Sequence, residues 1–225
     1  MKCKNIRENV ILIKKTLDSI RETSNIVELV AITKNVSYEC ILEALKCGIK
    51  HIGESKIQEA LPKFKQLDSM ATNVVKHFVG HLQSNKAKKA VENFDLIQSL
   101  DSIDLALILD RYARKIGKVQ DCLIEIKVDE KVTKTGINPR DIKYFYKRCL
   151  SISNISIKGL MVVAPYSNNF EDSRQHFKHT YNLFKDVKKS FSNPKFTVLS
   201  MGMSGDYTIA VKEGANMIRL GSAIF

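Results

Sequence analysis

The residues best placed to do chemistry are those that close short apolar runs. Lys34 follows Leu29-Val30-Ala31-Ile32-Thr33. A lysine stem packed among apolar side chains strips water from its ammonium, so its pKa falls. The neutral amine can then attack an aldehyde and form a Schiff base. Taken alone, such a lysine more often caps a strand and reaches water. Two C-terminal stretches shift that balance. Ser200-Met201-Gly202-Met203-Ser204-Gly205 and Arg219-Leu220-Gly221-Ser222 each follow or finish an apolar run. Small residues let backbone N–H groups approach an anion, hydroxyls add donors, and a helix N-terminus adds partial positive charge. Two tight glycine turns would look similar, so the stretch gains specificity only in company with Arg219 and Lys34.

Alternating elements must position these residues. Ile6, Val10, Ile13, Leu17 and Ile20 recur at helical spacing, so the chain opens with an amphipathic helix. Leu29–Thr33, His51–Gly53, His77–Gly80, Asp95–Gln98, Cys122–Val128, Ile155–Ala164, Phe196–Ser200 and Met217–Leu220 then read as strands. Between them lie helices, the first capped by Ser37 and stopped by Gly48. Strand–helix alternation implies parallel neighbours joined by crossovers. About eight such repeats in about 200 residues is the arithmetic of a closed barrel. The expected fold is α/β, a single (β/α)8 TIM-type barrel with an extra N-terminal helix. The rival, a doubly wound open sheet, usually carries a Gly-rich turn after its first strand; here Thr33-Lys34-Asn35 stands there. In parallel folds the site lies at the carboxyl ends of the strands. Those ends are Lys34, Glu54, His81, Asp129, Pro165, Met201–Ser204 and Arg219–Ser222.

Composition narrows the class. The 225 residues are 44% hydrophobic, with 10 Gly and 4 Pro in no linker-like cluster, which suits one domain over 1–225. The net charge of +12 invites a phosphorylated ligand, nucleic acid or a membrane surface. However, the lysines are scattered, with Lys115, Lys118, Lys143, Lys147, Lys185, Lys188 and Lys189 falling on outer helix faces. Lys86–Lys89 and Lys185–Lys189 are too short and too poor in aromatics for a nucleic-acid footprint. The odd set Cys3, Cys40, Cys47, Cys122 and Cys149 has no C-x-x-C pair, so neither a zinc site nor a disulfide framework is expected. Reduced thiols imply a cytoplasmic address. The first 21 residues alternate charge and apolarity, unlike a signal peptide, and no apolar stretch approaches a membrane span.

Weaker candidates remain. His176 and His179 stand at i, i+3 without an apparent third metal ligand. His77 and His81 flank a strand end, and His81 either lines the site or packs as an ordinary histidine. Asp129 and Glu130 are a catalytic pair or, more commonly for such a place, solvated loop carboxylates. Gly80 to Lys86 lacks the second glycine that a P-loop requires.

Several motifs occur together in one order. They are Val30-Ala31-Ile32-Thr33-Lys34, His51-Ile52-Gly53-Glu54, Gln58-Glu59-Ala60 and His77-Phe78-Val79-Gly80-His81-Leu82-Gln83-Ser84-Asn85-Lys86. Lys134-x-Gly136, Gly159-Leu160-Met161, Leu199 to Ser204 and Ile218 to Phe225 complete the set. From about Leu29 to Phe225 the chain resembles the pyridoxal phosphate homeostasis proteins, whose barrel is similar to the N-terminal domain of alanine racemase. The resemblance implies that Lys34 carries pyridoxal 5′-phosphate (PLP) as a Schiff base. It implies that Ser204, Gly221 and Ser222 hold the phosphate, with Gly202 and Met203 in the same loop, and that Arg219 faces the pyridine nitrogen. Ser55 stands where the family usually has Asn, and a hydroxyl keeps only part of an amide's hydrogen bonding. The family normally runs a few residues beyond Ala223-Ile224-Phe225.

The resemblance implies a vitamin B6 carrier, and the residues bear on whether it turns over. PLP enzymes usually place an acid at the pyridine nitrogen to strengthen the electron sink. Arg219 only donates, so it weakens that sink. Alanine racemase-like enzymes also draw a second base from a second domain, and none is expected after Phe225. The expectation is therefore PLP binding without turnover, by a monomer that passes PLP to apo PLP-dependent enzymes. The alternative is a small PLP enzyme of racemase or decarboxylase type. A basic nucleic-acid-binding protein is the third reading, and would bind with steep salt dependence.

Overall fold

The computed structural model describes residues 5–20, 26–69, 73–128, 135–165 and 170–225. The chain opens with α1 (Ile6–Ile20), which buries Ile6, Val10, Ile13 and Leu17, the stripe its spacing predicts. Strands and helices then alternate: β1 (Glu28–Ile32), α2 (Tyr38–Lys46), β2 (His51–Glu54), α3 (Ile57–Ser69), β3 (Val75–Phe78), α4 (Ala87–Asn93), β4 (Leu96–Leu100) and α5 (Ile103–Lys115). The second half repeats the pattern: β5 (Gln120–Ile126), α6 (Ile142–Leu150), β6 (Ile155–Val162), α7 (Phe170–Phe191), β7 (Val198–Ser200), α8 (Tyr207–Lys212) and β8 (Met217–Leu220). Ser37 and Ser102 start α2 and α5 by accepting the amide protons of Cys40 and Leu105.

The strands close into one parallel ring in sequence order, β8 returning to β1. The expected (β/α)8 barrel is the fold. Closure is sealed by the register Val30↔Arg219 and Ala31↔Leu220 on one side of β1 and Ile32↔Gly53 on the other. Alternation along each strand separates two packing zones. Val30, Leu96, Leu123, Met161 and Met217 meet in the lumen, joined by Ile32, Val163 and Val198. Ala31, Ile52, Phe78, Ile97, Ile124, Leu160, Leu199 and Ile218 face the helices.

Several boundaries differ from the sequence reading. β3 ends at Phe78 rather than Gly80, because its ladder with β2 runs from His51↔Val75 to Glu54↔Phe78. Gly80 belongs to the turn, where a Cβ would overlap the Ser55 carbonyl oxygen. β5 is shifted two residues toward the N-terminus, and Ser84–Lys86 form a tight helical turn ahead of α4. Lys118 is not a free surface lysine; its ammonium donates to the Val91 and Phe94 carbonyls at the end of α4. Cys40 is disulfide-bonded, against the expectation of reduced thiols throughout, whereas Cys47, Cys122 and Cys149 are free. Among the described residues no helix is long and apolar enough to cross a membrane.

Candidate functional site

The carboxyl end of β1 is held by a buried knot. Thr33 extends the ladder by one bond, its N–H donating to the Gly53 carbonyl. Its hydroxyl donates to Glu54 Oε1 at 2.7 Å, and Lys63 of α3 bridges Glu54 Oε1 and the Thr33 carbonyl at 2.6 Å each. Lys34 follows in the turn beyond the end of β1, exposed at the rim, with its charge felt by the Glu59 carboxyl on α3. Asn35 then turns the chain with φ +58°. Lys34 is exposed, so the apolar collar expected around its stem is absent. The reason is local: β1 ends at Ile32, and the neighbouring turn at Gly221 has no side chain to cover the rim. The Glu59 carboxyl on α3 lies below its usual range, chiefly through its bond to Lys56 and in small part through the charge of Lys34.

Next to this turn sits the loop after β8. A Cβ on Gly221 would lie 3.6 Å from Ile32 Cβ, so this loop packs against the last residue of β1. The Gly221 and Ala223 amides converge on one atom, Ser204 Oγ, at 3.2 Å each. Two N–H groups aimed at one oxygen are the geometry an anion requires. Ser204's own proton is left to donate outward, and the exposed Ser222 stands beside it. Gly202 makes the preceding bend with φ +95°, and a Cβ there would lie 2.6 Å from Ala210 Cβ. Asp206 accepts the Met203 amide at 2.6 Å and closes the loop, while Met203 itself is partly exposed.

Below the loop lies Arg219, buried in the lumen. Its Nη1 donates to Ser200 Oγ at 2.6 Å and its Nη2 to the Val162 carbonyl at 2.8 Å. Burial pulls its pKa down to about 10, opposed by Asp206 and Glu125, so it stays charged at neutral pH. Glu125 faces the same lumen; burial raises its pKa, the Thr135 hydroxyl lowers it, and nearby Asp101 raises it. His81 Nδ1 stands 3.4 Å from Asp101 Oδ2 at the rim. His81 and Ser55 also line one small cavity of about 150 Å³ with Phe78 and Lys86.

The residues singled out from the sequence thus fall on one arc of the rim. Gly202, Met203 and Ser204 follow β7, Arg219 is the penultimate residue of β8 with Gly221 and Ser222 after the strand, Lys34 follows β1, Ser55 follows β2, and His81 follows β3. Asp129, Glu130 and Lys134 lie outside the described residues. Among the described residues no group of three or more His, Cys, Asp or Glu is arranged for a metal. Sequence reasoning passed over Glu125, Asp101, Lys63 and Asp206, and read Ser200 only as the start of a loop run rather than as a lumen residue. A polar side chain at an inward position of an apolar strand was the available signal for Ser200 and Glu125. Burial holds the Cys122 thiol well above the usual range and lifts Cys149 to about 12, so neither is a nucleophile.

Comparison with known proteins bears on the family and the fold. Residues 3–225 match the family described as alanine racemase, N-terminal domain. The chain is 34% identical over 223 residues to the pyridoxal phosphate homeostasis protein of Aquifex aeolicus, covering 99% of this chain and 96% of the relative. It is 40% identical over 199 residues to the protein of that name from Synechocystis, covering 88% of this chain and 90% of the relative. The structure of PipY from Synechococcus elongatus with PLP bound superposes with a TM-score of 0.88 at 34% identity, over 98% of this chain and 99% of that one. Alanine racemase of Clostridium difficile shares the fold at a TM-score of 0.71 and 13% identity, with 97% of this chain covering 56% of that one. A closed parallel barrel, and relatives of one name matching nearly end to end, place this chain in the pyridoxal phosphate homeostasis protein family.

Proposed function

We propose that this protein binds PLP at the arc described, as a Schiff base on Lys34, and serves intracellular vitamin B6 homeostasis without turnover. The observation that carries the reading is the convergence of the Gly221 and Ala223 amides on Ser204 Oγ, beside the turn that holds Lys34. One anion-binding point and one primary amine on adjacent loops match a ligand with a phosphate and an aldehyde. In this reading Ser204, Gly221 and Ser222 hold the phosphate, with Gly202 and Met203 shaping the loop. Arg219 meets the pyridine nitrogen, and Ser55 and His81 line the far side. Condensation of the Lys34 amine with the aldehyde releases water.

The same reading extends to a cytoplasmic monomer, one PLP-binding unit over 1–225, that hands PLP to apo-enzymes. Its PLP-binding part is supported by the name of the relatives and by the PLP in the PipY structure. Arg219 supports binding over turnover. It is charged and donor-only, and the carboxylates nearest to it act on its charge through space. A small PLP enzyme is the second reading, favoured by the His81–Asp101 pair and the half-buried Glu125, which could serve as bases.

The test is an absorbance spectrum of purified protein incubated with PLP, before and after borohydride, with peptide mapping of the modified lysine. The expected result is a visible Schiff-base band, reduction trapped on Lys34, and loss of both in Lys34→Ala. Protein that cannot be loaded, or a label on another lysine, overturns the reading. Deuterium exchange at the α-carbon of an amino acid would decide for the enzyme.

A further inference from the structure

A line of polar side chains crosses the barrel lumen beneath Arg219. Most inward positions there are apolar. His77, Gln98 and Ser200 are not, yet each is at most 1% exposed. Buried polar groups are costly unless bonded, and these are bonded end to end. Arg219 Nη1 donates to Ser200 Oγ at 2.6 Å. A guanidinium accepts nothing, so the Ser200 proton must go onward. It goes to Gln98 Oε1 at 2.6 Å. That fixes the amide, whose Nε2 donates to His77 Nδ1 at 2.9 Å and also meets Met217 Sδ at 3.3 Å. The proton of His77 therefore sits on Nε2 and donates to His51 Nδ1 at 2.9 Å. The His51 proton then sits on Nε2, facing Glu28 Oε2 at 4.0 Å at the opposite end of the barrel.

Every direction in the line follows from its donor-only start. It also demands a neutral His77, with one nitrogen accepting and one donating. Burial, reinforced by His51, keeps the ring neutral with a pKa down to about 3. Arg219 is anchored by this line and by the Val162 carbonyl rather than by a carboxylate. The plane of its guanidinium is therefore set from below.

We infer that His77 and Gln98 are positioning residues of the ligand site: through Ser200 they set the plane of Arg219 and so direct its remaining N–H groups at the pyridine nitrogen of bound PLP. The inference rests on the proposed placement of that nitrogen at Arg219. It also assigns a role to part of the His77–Lys86 motif, whose first residue lies in the lumen rather than at the ligand.

The experiment uses the full chain loaded with PLP labelled with 15N in the ring, reading PLP affinity and the pyridine nitrogen resonance. Gln98→Met keeps length and volume without the amide, and His77→Phe keeps a ring without nitrogens. Both should weaken PLP binding about tenfold, the worth of one buried hydrogen bond, and displace the resonance. His77→Asn, whose amide oxygen can stand in for Nδ1, should restore most of both. Ser200→Ala breaks the line by removing one hydroxyl, and decides the matter if the larger changes do not fold. Leu123→Ala, a purely apolar lumen change, should lower thermal stability and leave the resonance in place. Wild-type affinity and resonance in folded Gln98→Met and Ser200→Ala would overturn the inference. Arg219→Gln separates the two levels. If it moves the resonance and the line variants do not, the inference alone falls; if it does not, the placement of the nitrogen falls and takes the inference with it.

Discussion

Ser204 carries more of the rim than its size suggests. Its oxygen is the acceptor for two backbone amides of the next loop, Gly221 and Ala223. Ser204→Ala should therefore cost about 1–2 kcal/mol in a urea titration, because two partly buried donors lose their partner. It should also weaken the binding of inorganic phosphate and PLP together. Gly202 is constrained differently: its φ of +95° and the Ala210 Cβ at 2.6 Å both exclude a side chain. Gly202→Ala should cost about 2 kcal/mol or more, from strain and overlap combined, read in the same titration. These residues were legible in the sequence because a barrel puts its chemistry at strand ends, where short hydroxyl and glycine runs stand out. Gln98 was not legible. It lies inside Leu-Ile-Gln-Ser-Leu, and its partners His77 and Ser200 belong to strands far away in sequence.

At the scale of elements, the turn bearing Lys34 is fastened to α3 through Glu54 and Lys63. Glu54 is fully buried, and its Oε2 already lacks a hydrogen-bond partner. Lys63→Met would leave that carboxylate buried without its counter-charge, a loss of about 3–5 kcal/mol. Pairing it with Glu54→Gln should recover much of the loss in a urea titration, since no bare charge then remains. A double variant no more stable than Lys63→Met would show that packing of the lysine stem, rather than charge, holds the knot. The sequence showed β2 and α3 but not this link, because Lys63 reads as one more lysine on a solvated helix face. Likewise β3 was placed two residues late. Its apolar run continues through Val79, whose N–H still donates to the Glu54 carbonyl, but residue pairing with β2 ends at Phe78, and only the register reveals that.

At the scale of the whole molecule, strand–helix alternation made the closed barrel legible, while the polar content of its lumen was not. That content gives the fold a pH dependence of definite sign. His77 is neutral when folded, with a pKa down to about 3, whereas in the unfolded chain it titrates near the ordinary histidine value of about 6.5. Above that value both states are neutral and His77 contributes nothing to the slope. Below it the unfolded chain takes up a proton that the folded barrel refuses, so stability falls as pH drops from about 6.5 toward 3. Between pH 7 and pH 5 the loss from this one ring approaches about 2 kcal/mol. Glu125 and Asp206 work in the opposite sense, since burial raises both carboxyls and the folded state then binds protons more readily. They remain in any His77 variant, so a difference measurement removes them. Urea titrations of wild type and His77→Asn at pH 7 and pH 5 should show the wild type losing the larger share on acidification. Equal losses would mean that His77 is protonated inside the barrel, which the donor order from Arg219 to Glu28 does not permit.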